Sequence, residues 1–128
     1  MMFDYALVAL GGAIGSVARF WFAAFMVRVT GPTFPWGTLI INIVGSFVIG
    51  LLAGGTHPDA WLHVPHHWAV FTMTGICGGF TTFSSFSLQT LDLFKGNQKL
   101  QSVGYVLASV VFCLLGVALG TAAYGAPF

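Results

Sequence analysis

The 128 residues are 57% hydrophobic and 5% charged, with four Lys or Arg, three Asp or Glu and a formal net charge of +1. An ordinary soluble domain carries roughly 25% charged residues, so a water-soluble monomer is excluded, and the lack of a basic stripe excludes a nucleic-acid partner. A mean hydropathy of +0.91 and seventeen glycines fit packed membrane helices; at about 20 residues per crossing, the chain has room for four spans in one domain, residues 1–128, and for no soluble catalytic domain.

Met1-Met2-Phe3-Asp4 lacks the basic start of a secretion signal, and the apolar run behind it outlasts a signal core. The first run, about Tyr5 to Val29, is therefore expected to be a retained span. Gly11, Gly15 and Arg19 lie on one four-residue row within it. An arginine at that depth either serves function directly, snorkels to the interface or caps loop carbonyls as a strut. Gly31-Pro32-Thr33-Phe34-Pro35 ends the run with loop punctuation. Trp36, an interfacial anchor, opens the second span, which reaches about Gly55 and carries Thr38, Asn42, Ser46, Gly50 and Gly54 on one row. The connection Thr56 to His67 holds His57, His63, His66 and His67. Interrupted by prolines, these imidazoles are expected to lack a common helical face and to form no metal site, although acidification would make the loop positive.

The third run, Trp68 to Leu91, carries nine polar side chains: Thr72, Thr74, Thr81, Thr82, Ser84, Ser85, Ser87, Gln89 and Thr90. Three glycines in Gly75-Ile76-Cys77-Gly78-Gly79-Phe80-Thr81-Thr82, each costing roughly 1 kcal/mol relative to Ala in a helix, predict a broken helix at mid-membrane. Unwound backbone at that depth must be buried in protein or line a watery cavity, and such breaks expose carbonyls and helix ends to ions. Phe80, Phe83 and Phe86 recur every three residues among the hydroxyls, and phenyl edges carry the positive part of the ring quadrupole. Asp92 to Gln101 reads as a short turn before a fourth span, Ser102 to about Tyr124, whose row is Tyr105, Ser109, Cys113, Gly116 and Gly120. Cys77 and Cys113 sit in apolar runs as small hydrophobes. The small-residue rows also suit plain packing seams. Asp4, Asp59 and Asp92 all fall outside the spans, which argues against a proton or cation site, since that normally needs an embedded acid. The donors that remain, an amide, hydroxyls and one guanidinium, suit an anion.

Three stretches resemble the Fluc (CrcB-type) fluoride channel family: Gly11-Gly12 through Gly15 to Arg19, Trp36-Gly37-Thr38-Leu39-Ile40-Ile41-Asn42, and above all Thr74-Gly75-Ile76-Cys77-Gly78-Gly79-Phe80-Thr81-Thr82-Phe83-Ser84-Ser85-Phe86-Ser87. The resemblance implies an all-α membrane protein of four helices with the third broken, dimerised antiparallel with dual topology, and two fluoride pathways along the dimer interface. It implies a structural sodium ion on the two-fold axis, held by the backbone carbonyls of Gly78 and Thr81 from each subunit. Phe83 and Phe86 would line the pore, Asn42 would donate its amide near a pore mouth, and Thr82, Ser84, Tyr105 and Ser109 would form a polar track beside them. Arg19 would be structural or electrostatic. The implied role is passive fluoride export across the bacterial inner membrane, which protects cytoplasmic enzymes. Gln89 stands where the family usually has Glu, and Cys113 where Ser is common.

The two short loops carry Arg28, Lys95 and Lys99, while the termini and the His-rich loop carry no Lys or Arg. The positive-inside rule places those short loops in the cytoplasm. The expected assembly in the bilayer is thus a homodimer of unequal orientations or a heterodimer with an oppositely oriented paralogue. A small four-span multidrug transporter has a similar length but needs an acid inside the first span. An accessory membrane protein would explain the seams but not a polar broken span. An enzyme would need a catalytic set that is not present within one site.

Overall fold

The computed structural model describes residues 1–125. These are helical in α1 (Met2–Thr30), α2 (Trp36–Gly55), α3 (His66–Ala69), a π-helical stretch (Val70–Cys77), α4 (Gly78–Phe80), α5 (Phe83–Lys95) and α6 (Lys99–Ala122). α1, α2 and α6 are each long and apolar enough to cross a membrane. From α3 to α4 the axis runs on unbroken, widened by i→i+5 bonding in its middle.

The helices sort into two parallel pairs. α1 packs along the π-helical stretch and α4, and α2 packs along α6. Glycines set both seams. A methyl group added to Gly11 would sit 2.8 Å from the Gly75 Cα, and one added to Gly50 would sit 2.9 Å from the Val117 Cα. Backbones this close gain dispersion contacts that lipid does not offer, which is how small residues drive association in a bilayer. The packing reading of the small-residue rows therefore holds for Gly11, Gly50, Gly116 and Gly120.

The same seam corrects the position of the helix break. Gly75, Gly78 and Gly79 all stay helical, and the interruption falls on Thr81 and Thr82, the last two residues of the predicted window. Thr81 (φ −75°, ψ 158°) and Thr82 (φ −153°, ψ 120°) are extended. The intrinsic helix penalty of Gly75 and Gly79 is offset by the close approach that each permits to α1. At the other boundaries, α5 continues to Lys95, and α6 already begins at Lys99. The expected turn Asp92 to Gln101 thus shrinks to Gly96-Asn97-Gln98, with Asn97 in the left-handed region (φ 63°) that asparagine tolerates.

Tyr105 and Ile41 are the largest fully buried side chains, and Tyr105 packs with Leu39 and Leu93. Phe34, Ile43, Phe86 and Ala108 cover this cluster. Much of the remaining apolar surface of α1 and α6 is exposed, as it must be where lipid or another subunit is the solvent.

Candidate functional site

In a continuous helix the Thr82 N–H would return to the Gly78 carbonyl and the Ser85 N–H to the Thr81 carbonyl. Neither bond forms. The Thr82 N–H donates to Asn42 Oδ1 at 2.8 Å, and the Ser85 N–H donates to Thr82 Oγ1 at 3.2 Å, an N-cap that starts α5. Asn42 Nδ2 in turn donates to the Thr82 carbonyl at 2.9 Å. One amide side chain therefore satisfies both polar groups of one peptide residue, as a neighbouring strand would. From the other side Arg19 Nη1 donates to the Thr81 carbonyl at 3.2 Å. Arg19 is thereby the carbonyl-capping strut weighed among its roles, and α1 and α2 clamp the break between them.

A cleft of about 320 Å³ opens beside this clamp, lined among others by Asn42, Thr82, Phe83, Phe86 and Ser109. Phe83 is 77% exposed and meets Phe86 at 5.6 Å between ring centroids. Phe86 leans on Tyr105 at 5.3 Å. Among the described residues, the Ser109 hydroxyl is buried without a hydrogen-bond partner. The amino end of α5 also faces the break and adds partial positive charge there. At the same interruption the Gly78 and Thr81 carbonyls have lost their helical donors, and the Thr81 carbonyl accepts from Arg19 instead.

The structure thus brings Asn42, Thr82, Phe83, Phe86 and Ser109 to one cleft. Tyr105 stands behind Phe86, fully buried. Ser84 is exposed, with Oγ 3.3 Å from Thr82 Oγ1. The expected row of three phenylalanines does not exist, because the break turns Phe80 away to pack edge-on against Phe22 of α1 at 6.5 Å. Asn42 is also less free than a pore-mouth donor was expected to be, because the Thr82 backbone takes both its oxygen and its nitrogen.

Residues 6–121 match the family model described as CrcB-like protein, Camphor Resistance (CrcB). The chain belongs to the CrcB family. A protein of Rhodospirillum rubrum is 53% identical over 116 residues, covering 91% of this chain and 90% of its own length. Another, of Paramagnetospirillum magneticum, is 52% identical over 119 residues, covering 93% of each. Both bear the name fluoride-specific ion channel FluC. With its three helices of spanning length, this CrcB chain is a multi-pass membrane protein.

Two features of this CrcB site escaped the sequence reading. Ser46 and Cys113 line the cleft; their places on the polar rows of α2 and α6 were the available signal. Gln89 accepts a hydrogen bond from the Tyr105 hydroxyl at 3.2 Å, a pairing across α5 and α6 that no spacing rule predicts. Gln89 also lines a second cavity of about 320 Å³, together with Phe34 and Thr38. Phe34 meets Tyr105 edge-on at 5.6 Å, so Tyr105 stands between the two cavities.

Proposed function

We propose that this protein is a fluoride-selective channel that passively exports fluoride from the cytoplasm and so confers fluoride resistance. The relatives' names support this, but the observation that carries it is the cleft at the helix break. It offers an unpartnered buried hydroxyl, two phenyl rings and a helix amino end, with no carboxylate among its lining residues. Fluoride is small and strongly hydrated, so its path must replace water with donors that hold it weakly enough to release it. The cavity beside Gln89, Thr38 and Tyr105 would continue the path. A multidrug transporter reading lacks the embedded acid in α1, and the chemistry of the cleft is transport rather than catalysis.

In this reading α3 through α5 together form the third of four crossings, and two copies insert antiparallel to make two pathways. The high exposure of Phe83 in a single chain supports a partner surface there. The Gly78 carbonyl, freed by the break, and the second lone pair of the Thr81 carbonyl, whose first is taken by Arg19, would supply a structural sodium ion with two oxygens per chain and four from two chains. Bound there, sodium would hold the interruptions of both subunits together and add to the positive charge that Arg19 brings to each break. It would not be transported.

Fluoride efflux from liposomes holding the purified protein, with chloride as control, tests the function. Fluoride should leave far faster than chloride. Equal rates would overturn the assignment. Phe86→Ile and Ser109→Ala should each slow efflux about tenfold or more while the protein keeps its elution volume in detergent, in line with loss of one pore contact of about 1.4 kcal/mol.

A further inference from the structure

The Thr56 to His67 loop does not leave all its histidines without a scaffold, and here the structure departs from expectation. Pro65 holds an extended backbone (ψ 153°) immediately before α3, so His66 and His67 are its first two residues. Because α1 and α3 run in parallel, those residues meet the first turn of α1. His67 Nδ1 lies 3.1 Å from Asp4 Oδ1, and His66 Nε2 lies 3.7 Å from the same oxygen. One ligand atom from each of the three residues falls within 4.8 Å of the others.

We propose that Asp4, His66 and His67 form a binding site for a borderline divalent cation such as zinc at the membrane surface, separate from the ion cleft. Imidazole nitrogens and a carboxylate oxygen are the donor set that zinc takes. Zinc bonds of about 2.0–2.1 Å at tetrahedral angles put neighbouring ligand atoms roughly 3.4 Å apart. The two Asp4 to histidine separations bracket that distance, and rotation of an exposed imidazole closes the third. His67 is already held, because its ring stands edge-on to Phe3 at 5.2 Å. Asp4 is the most enclosed of the three, with 29% of its side chain exposed against 72% and 62% for His66 and His67. The cation would staple the start of α1 to the start of α3, at the opposite end of α1 from Arg28.

Isothermal titration of the purified full-length protein in detergent with zinc chloride tests the site. The wild type should take one zinc per chain. His66→Gln combined with His67→Gln should abolish that binding, and Asp4→Asn should weaken it about tenfold or more. His57→Gln combined with His63→Gln, in the same loop, should leave it unchanged. Both histidine pairs are exposed, so every variant should keep its elution volume, and that measurement does not depend on fluoride transport. Absence of zinc binding in the wild type, its survival in the His66/His67 variant, or its loss in the His57/His63 variant would each overturn the proposal.

Discussion

Asn42 illustrates how much one side chain can hold when backbone leaves a helix inside a protein. Truncation to Ala strands the N–H and the carbonyl of Thr82, and each orphaned group costs about 1–3 kcal/mol when water cannot replace the partner. Asn42→Ala should therefore lower stability in a denaturant melt by about 2 kcal/mol or more as well as slowing fluoride efflux. An unchanged melt would mean that the amide does not hold the break. Tyr105 is the second such residue. Tyr105→Phe keeps the packing against Phe86 and Leu39 and removes only the donor to Gln89, so stability should fall by about 0.5–1.5 kcal/mol. If Tyr105 and Gln89 stand on the ion path, efflux in that variant should fall further than the melt predicts. These roles were partly legible in the sequence: an Asn and an Arg inside apolar runs had to find partners. Which partners they found was not, because the bonds join positions forty and more residues apart.

Among the elements, the third run shows where local propensity misleads. Its glycines weaken a helix in isolation, yet Gly75 and Gly79 lie within it because α1 presses on them. The interruption fell instead on two β-branched threonines whose hydroxyls compete for backbone groups: Thr81 Oγ1 donates to the Cys77 carbonyl at 2.9 Å, and Thr82 caps α5. Extents were easier to read. The second span coincides with its expected bounds because Trp36 and Thr56 border it on both sides, whereas the turn after α5 was overestimated since its charged residues continue the helices. Gly75→Ala should force α1 away and lower stability by about 1–3 kcal/mol. Gly104→Ala, with open space around the added methyl, should be neutral or stabilising by up to about 1 kcal/mol. Equal effects in a thermal melt of both variants would count against glycine packing as the source of the seam.

At the scale of the whole molecule, the loop charges and the proposed assembly pull apart. Arg28, Lys95 and Lys99, at the helix ends that flank the short loops, favour one orientation, whereas an antiparallel dimer needs both. A topology reporter fused to the C-terminus should show both orientations if the chain pairs with itself. A single orientation would require an oppositely inserted paralogue. Removing sodium during liposome efflux should slow fluoride release if the carbonyls of Gly78 and Thr81 hold that ion, and unaltered release would remove sodium from the account. The two parallel pairs bear on biogenesis as well. The glycine seams do not join sequential helices: α1 waits for the third run and α2 waits for α6, so each glycine face enters the bilayer before its mate has been synthesised. Those faces are then open to whatever small-residue helix lies near, and an insertase or chaperone that shields them until the C-terminal half emerges would raise the yield of folded channel more than any further gain in native packing.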